Sequence, residues 1–147
     1  FFLQDINNQA IEDVSELARI CKTLEQSLTG AIELEKLLKD RWRQTPLRVR
    51  QLPVLSRVLL SNKISKTHSV IEVNGRDFPG LLHKITQSLA DLGLQIQTAT
   101  VSTYGERVVD VFYVKDIFGL QIQNGVRQQT IRNRLLEIFI DTDEAVV

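Results

Sequence analysis

A short turn in the middle of the chain has the residue types of an anion-binding site. The segment RDFPGLL, from Arg76 to Leu82, lies between the β-forming run VIEV at Val70 and apolar residues at helical spacing. This order predicts a strand, a tight turn and a helix start, with Asp77 at the N-cap and Pro79 in the first turn. Backbone N–H groups at a helix start can bind a carboxylate or a phosphate. The turn is therefore a candidate anion site, and a plain strand-to-helix connection is the alternative.

The elements that must position this turn follow one another in the second half of the chain. They are a strand, a helix, a two-stranded hairpin and a final helix, predicted over His68–Asn74, Pro79–Gly93, Leu94–Thr103, Arg107–Lys115 and Val126–Ile140. A further strand is predicted over Val54–Leu60, and a weakly strand-like stretch, Ile117–Ile122, precedes the final helix. The order predicts an α+β fold with both helices on one face of a small antiparallel sheet.

The beginning of the chain resembles its end. The segment from Phe1, FFLQDINNQAIEDVSELARICKTLEQSL, aligns without a gap on the segment from Phe112, FYVKDIFGLQIQNGVRQQTIRNRLLEIF. The dipeptide Asp-Ile recurs in the same place, and Ile20 aligns with Ile131, so the apolar helical stripe keeps its phase. We therefore interpret the chain as the last third of one repeat followed by a nearly whole second repeat.

Three segments follow from this interpretation. Residues 1–44 are the tail of the first repeat with a helical extension, residues 45–66 are a linker and a strand, and residues 67–147 are the second repeat. The chain starts at Phe1 and contains no methionine. We therefore expect a fragment of a longer protein, in which other residues or a partner chain complete the first repeat.

Composition argues against several classes of function. The 18 basic and 18 acidic residues leave no net charge to attract nucleic acid, and no apolar run approaches the ~20 residues that span a membrane. The single cysteine, Cys21, cannot form an internal disulfide, so a cytoplasmic location is expected. There is no glycine-rich nucleotide loop, metal-ligating His-Asp pair or catalytic carboxylate pair. We expect no catalytic residue, no metal and no cofactor in this chain.

Two alternatives from other classes share the predicted order of elements. RNA-recognition modules have a βαββαβ order and stack bases on aromatic residues of the two central strands. The corresponding strands here place Glu72 and Asp110 among aliphatic residues, with Phe112 and Tyr113 as the aromatic pair, which disfavours RNA binding. A structural module that dimerises through its sheet edges remains open.

The turn motif also carries a family resemblance. RDFPGLL resembles the turn of ACT domains, usually written R-D-R-P-G-L-L, and residues from about His68 to Phe139 resemble a whole ACT domain. The stretch ATVSTYGERVVDVFYVKDIFGLQI, from Ala99, is similar to the C-terminal ACT region of enzymes that uridylylate and deuridylylate the PII signal protein. The segment at Phe1 is similar to the tail of the first ACT domain in such enzymes. Phe78 departs from the pattern, because the family commonly has arginine there.

This resemblance implies a ferredoxin-like βαββαβ ACT domain, preceded by the partial tail of a second ACT repeat, in a regulatory region that senses an amino acid. Glutamine is the implied ligand, and it would switch the parent enzyme between modifying and demodifying PII. The implied partners are the free amino acid, the catalytic domains of the parent chain, PII through that parent, and a second ACT domain in a homodimer.

The ligand-binding residues expected on this basis are few. The ligand carboxylate is assigned to the N–H groups around Gly80, Leu81 and Leu82, beside Phe78. The ammonium and the side-chain amide need acceptors, and these are assigned to Asn74 and Asp77. A strand of a neighbouring module is expected to contribute its own residues, namely Gln97 and Thr98.

Overall fold

The structure, a computed structural model, describes residues 9–33, 36, 38 and 54–144. Its helices and strands are, in chain order, α1 (Val14–Leu28), β1 (Arg57–Ser61), β2 (Ser69–Arg76), α2 (Leu81–Asp91), β3 (Leu94–Tyr104), β4 (Arg107–Asp116) and α3 (Gly125–Glu144). The chain divides into two compact units, Phe1–Arg41 and Trp42–Val147. The predicted strand end at residues 1–3 and most of the segment from 34 to 53 lie outside the described residues.

The second unit contains a four-stranded antiparallel sheet with the order β1-β2-β4-β3. Apolar residues alternate along β4 because every second side chain faces the helices. The α2 and α3 helices share one core with this face. The largest fully buried apolar side chains come from both layers: Ile71, Val73, Ile85, Leu89, Phe112, Val114, Ile122, Ile131 and Leu135.

The predicted α+β, ferredoxin-like fold is therefore confirmed, with one difference in how the chain supplies the last strand. In the βαββαβ order the strand after the second helix pairs with the first strand of the fold. Here β1, which precedes the fold, pairs with β2 at that edge, with Arg57 opposite Asn74 and Ser61 opposite Val70. The fourth strand of the sheet is thus supplied by a segment that precedes the other three strands in the chain.

The predicted weak strand Ile117–Ile122 is not a strand. Hydrogen bonds of side chains hold the segment in place instead. The N–H of Ile122 donates to the Ser69 hydroxyl at 2.9 Å, and that hydroxyl donates to Asn62 Oδ1 at 2.6 Å. The Gln121 amide donates to the carbonyl of Ser65 at 2.9 Å and to that of His68 at 3.0 Å. These bonds satisfy buried backbone groups that a strand ladder would otherwise have paired.

The first unit contains α1, whose start matches that of α3. The two helices begin 111 residues apart, the same spacing as the repeated sequence. The Asp13 carboxylate accepts from Ser15 N at 2.8 Å and from Glu16 N, and Asn124 Oδ1 accepts from Arg127 N at 2.9 Å. Both helices are therefore capped by the side chain of the residue before them. No residue of α1 is buried.

Candidate functional site

The turn between β2 and α2 begins its helix later than the sequence predicts. α2 begins at Leu81, and its N-cap is Gly80, which lies in the left-handed region at φ 90°. Asp77 does not cap the helix, and its N–H donates to the carbonyl of Glu106 at 2.8 Å. The N-cap prediction for Asp77 is therefore wrong, because the residues up to Gly80 form a separate turn. Its carboxylate accepts no hydrogen bond from the described residues.

Unpaired backbone donors lie at the start of α2. The Leu81 N–H donates to the carbonyl of Phe78 at 3.0 Å, and the Lys84 N–H to the carbonyl of Gly80 at 2.9 Å. The N–H groups of Leu82 and His83 have no acceptor among the described residues. Of the predicted donors, only the Leu81 N–H has an acceptor among the described residues, and the His83 N–H joins those that have none. The positive end of the helix dipole adds to them.

Two of the predicted site residues turn their side chains into the core. Phe78 packs edge-on against Phe139, with ring centroids 6.4 Å apart, and Lys84 Nζ lies 5.5 Å from the Phe78 ring centroid. The Leu81 side chain is buried as well. These side chains fix the turn on the domain, so only their backbone groups can face a ligand. Leu82 lies on the outer side, and it is 42% exposed.

Asn74 lies on the other face of the sheet from α2 and α3. Adjacent strand residues point to opposite faces, and both neighbours of Asn74 face the helices: Val73 is fully buried in the core, and a Cβ on Gly75 would clash with the Phe139 ring. The Asn74 amide donates to Glu72 Oε1 at 2.7 Å. The structure therefore does not bring Asn74 together with the carboxylate of Asp77.

Gln97 and Thr98 lie on β3, at the opposite end of the sheet from the turn. Thr98 pairs with Tyr113, which pairs with Val70 at the beginning of β2. The turn follows Arg76 at the end of β2, roughly 20 Å along the strand. Gln97 falls at a register shift in the pairing with β4. Within one domain, these two residues cannot meet the turn.

One acidic residue near the turn was missed as a site residue in the sequence. Asp110 is 1% exposed and is in register with Val73, so its side chain faces the helix layer. Its carboxylate accepts from the Ser102 N–H at 3.3 Å. Burial raises the pKa of Asp110, the hydrogen bond from Ser102 lowers it, and the charge of Asp77 raises it further.

The signal for Asp110 was present in the pattern of β4. In RVVDVFYVKD the core-facing positions hold Val108, Phe112 and Val114, and Asp110 occupies the same series. A carboxylate at a position where alternation requires an apolar side chain costs free energy. Such a residue is a candidate for function on that ground alone. The same alternation correctly predicts the strand, and in the sequence Asp110 serves only as an argument against RNA binding.

The structure gives no sign of a metal site or a membrane segment in the described part of the chain. The described residues contain no group of three or more His, Cys, Asp or Glu side chains placed to hold a metal ion. None of the described helices combines the length and the apolar character that crossing a bilayer requires. The Asp77–Leu82 turn, with Asp110 beside it, remains the candidate site.

The comparisons with known proteins concern this same region. A family model described as the ACR family N-terminal ACT domain matches residues 64–137. Three relatives are named bifunctional uridylyltransferase/uridylyl-removing enzyme, and they come from Rhodospirillum rubrum (48% identical over 135 residues, 92% of the chain), Azospirillum brasilense (44% over 142 residues, 96%) and Gluconobacter oxydans (42% over 137 residues, 92%). The chain spans only 14–15% of the length of these relatives. No solved structure is a match.

Proposed function

This chain belongs to the ACT-domain family, and from that premise we propose that it is the amino-acid-sensing regulatory region of a bifunctional uridylyltransferase/uridylyl-removing enzyme. The proposed ligand is glutamine. Its binding controls whether the parent enzyme uridylylates or deuridylylates the PII signal protein. The names of the relatives support the parent activity, whereas glutamine and PII are implied by the family resemblance of the sequence.

The observation that carries this proposal is that one turn offers both backbone N–H groups, which suit an anion, and a carboxylate, which suits a cation. The N–H groups of Leu82 and His83 have no acceptor in the described part of the chain and lie at the start of α2, where the helix dipole favours an anion. Asp77 lies a few residues away with its carboxylate unpaired among the described residues. A zwitterionic amino acid needs donors for its carboxylate and an acceptor for its ammonium group, and the turn offers both.

A neighbouring ACT module completes the proposed pocket through β3. This edge strand has eleven residues without a charged side chain, and the side chains from Gln95 to Val101 are exposed, which suits pairing with another strand. An antiparallel β3–β3 pairing centred between Thr100 and Val101 places Gln97 of one module opposite Tyr104 of the other. Because Tyr104 lies at the end of the sheet that carries the turn, Gln97 and Thr98 would then reach the ligand of their neighbour.

A thermal-shift screen of the chain over the twenty amino acids tests the proposal. At roughly 100 times its dissociation constant, glutamine should add about 2.7 kcal/mol of stability, a rise in melting temperature of roughly 5–15 °C. Asp77→Asn should reduce this shift strongly. Asp91→Asn is the matched control, because Asp91 is exposed at the far end of α2 and accepts a bond from Gln87. Equal shifts in both variants would contradict the assignment of the turn.

The structural dimerisation module is the second candidate, and the uncharged edge of β3 is the observation that favours it. If no amino acid shifts the melting temperature while the chain dimerises through β3, this candidate replaces the sensing role. In the parent enzyme, the sensing role predicts that Asp77→Asn leaves PII uridylylation intact and removes its response to glutamine. A variant enzyme that still responds normally to glutamine would contradict the proposed role.

A further inference from the structure

The loop between β4 and α3 exposes four large apolar side chains, each between 62% and 78% exposed. They belong to Ile117, Phe118, Leu120 and Val126, and we call these four residues the apolar loop. The ten residues from 117 to 126 carry no charge. Exposed apolar side chains that lie together mark a surface that another molecule covers. The apolar loop is therefore a candidate docking surface, distinct from the Asp77–Leu82 turn.

Hydrogen bonds to one buried aspartate fix the backbone of this loop. Asp116 Oδ1 accepts from the N–H groups of Phe118 and Leu120, each at 2.9 Å. The Asp116 N–H donates to the carbonyl of Leu120 at 2.8 Å. A loop that is already ordered loses little conformational entropy when a partner covers it. The apolar side chains are thus presented in a fixed arrangement.

Arg127, in the first turn of α3, connects the loop to the end of α2. Its Nη1 lies 3.9 Å from Asp116 Oδ2, and its Nη2 donates to the carbonyl of Leu92 at 3.4 Å. Ile117 lies beside Gly93, where an added Cβ would be 3.4 Å from Ile117 Cγ2. Leu92 and Gly93 directly follow α2, whose 11 residues span about 16 Å. The apolar loop and the candidate site therefore lie at opposite ends of one helix.

The fold itself does not require apolar residues in this loop. The segment from Phe1 aligns without a gap on the segment from Phe112 and shares its apolar helical stripe. Three of the four positions are polar in that first segment, where Asn7, Gln9 and Ser15 align with Phe118, Leu120 and Val126. Contact with a partner accounts for apolar residues that only the second repeat carries.

We propose that the apolar loop docks on the catalytic part of the same parent polypeptide and so connects the sensing module to the enzyme that it controls. This inference rests on the proposed function, which supplies the parent enzyme. The surface that receives the loop is an apolar recess without charge, since a charge buried there would find no opposite charge in residues 117–126. A ligand at one end of α2 can then alter the contact at its other end.

The size of the apolar loop favours this partner over a second copy of the chain. A stable interface between separate proteins buries about 800 Å² on each side. Four partly exposed side chains offer less, because even an aromatic side chain has only about 150–250 Å². A domain tethered in the same polypeptide has an effective concentration on the order of millimolar, so a small patch can hold it. The chain spans only 14–15% of the length of its relatives, which leaves most of such a polypeptide as the partner.

Hydroxyl-radical footprinting of Phe118 tests the docking directly. The oxidation rate of this side chain is compared between the isolated 147-residue chain and the full-length parent enzyme. Docking should slow the oxidation at least about threefold in the enzyme, because the core of an interface excludes solvent. Equal rates in the two proteins would overturn the proposal.

A double variant that takes its residues from the first repeat tests the connection to the enzyme. Phe118→Asn with Leu120→Gln should leave the melting temperature and the glutamine affinity of the isolated chain unchanged, because both side chains are exposed. In the parent enzyme it should reduce the effect of glutamine on PII uridylylation at least about fivefold. Leu55→Gln is the control, because Leu55 is 91% exposed outside the loop, and it should keep the full effect. A normal response of the double variant would also overturn the proposal, and Phe118→Asn alone replaces it if it does not fold.

The outcomes separate this inference from the proposed function. If glutamine regulates the enzyme while Phe118 stays reactive and the double variant responds normally, the docking is wrong and the sensing role stands. If glutamine has no effect on the parent enzyme, the sensing role falls and the footprint alone decides the docking. Sedimentation of the isolated chain addresses the other occupant. A dimer that the double variant dissociates would mean that a second copy covers the loop, which would contradict the proposal.

Discussion

Asp110 holds its proton to a higher pH in the folded chain than in the unfolded chain. Burial and the charge of Asp77 raise its pKa above the ordinary 3.8. Between the unfolded and the folded pKa the native state binds more protons, so stability falls as the pH rises through that window. Above the folded pKa the full cost of the buried charge remains.

Asp110→Asn should therefore stabilise the chain at neutral pH. The asparagine keeps an acceptor for the Ser102 N–H and cannot ionise, so the difference from the parent should be largest at neutral pH and shrink as the pH falls toward 3.8. Urea unfolding of both chains across this pH range measures it, and their difference cancels other carboxylates such as Asp13. A variant that is less stable than the parent at pH 7 would show that the charge has a partner in the fold.

The backbone conformation of the turn requires glycine at Gly80. At φ 90° any residue with a Cβ is strained. Gly80→Val should cost about 1–3 kcal/mol of unfolding free energy. Gly125 has no positive φ and open space where a Cβ would lie, so Gly125→Ala is the control and should be neutral or stabilising. Equal melting temperatures for Gly80→Val and the parent would contradict the strained turn.

At the scale of elements, α3 packs tightly against the sheet at the point where β2 leads into the turn. A Cβ on Gly75 would lie 2.7 Å from Phe139 Cζ, and the same phenyl ring packs edge-on against Phe78. The glycine thus allows one aromatic residue of α3 to contact both the strand and the turn. The position of the candidate site depends on this contact.

Gly75→Ala should therefore destabilise the domain by about 1–3 kcal/mol, as overpacking of a core does. The double variant Gly75→Ala with Phe139→Leu gives room for the added methyl group. It should be less destabilised than the sum of the two single variants. Chemical unfolding of the four chains measures this coupling, and strict additivity would mean that the ring moves aside without cost.

The elements themselves were largely predictable from the sequence, and the exceptions have physical causes. Period-2 alternation fixes β4, and the apolar stripe fixes α2 and α3, because burial of one face dominates their free energy. The residue type of Asp77 predicts an N-cap, whereas the left-handed Gly80 takes that position. Which strand fills the sheet edge depends on pairing between distant segments, and β1 carries no local mark of it.

At the scale of the whole molecule, β1 belongs to the sheet although the sequence places it before the second repeat. Its Val58 and Leu60 side chains are buried in the core beneath the helices. A chain that begins at residue 67 lacks this strand and leaves the edge of β2 without its partner. Each of these buried side chains contributes roughly 1.5–3 kcal/mol.

A chain beginning at Trp42, the start of the second compact unit, should thus unfold cooperatively. One beginning at residue 67 should be less stable by roughly 3–6 kcal/mol and tend to aggregate through the exposed edge. Circular dichroism melts and light scattering compare the two chains. If the shorter chain melts at the same temperature, β1 is dispensable and the sheet is complete with three strands.

The position at which β1 begins also determines where a force along the chain acts on the sheet. Arg57 pairs with Asn74, two residues before β2 ends, so the tether from the first unit is anchored at the same end of the sheet as the Asp77–Leu82 turn. A force transmitted along this segment would act on the sheet only a few residues from the proposed amino-acid site. We therefore expect a ligand that orders this turn to order the start of β1 as well.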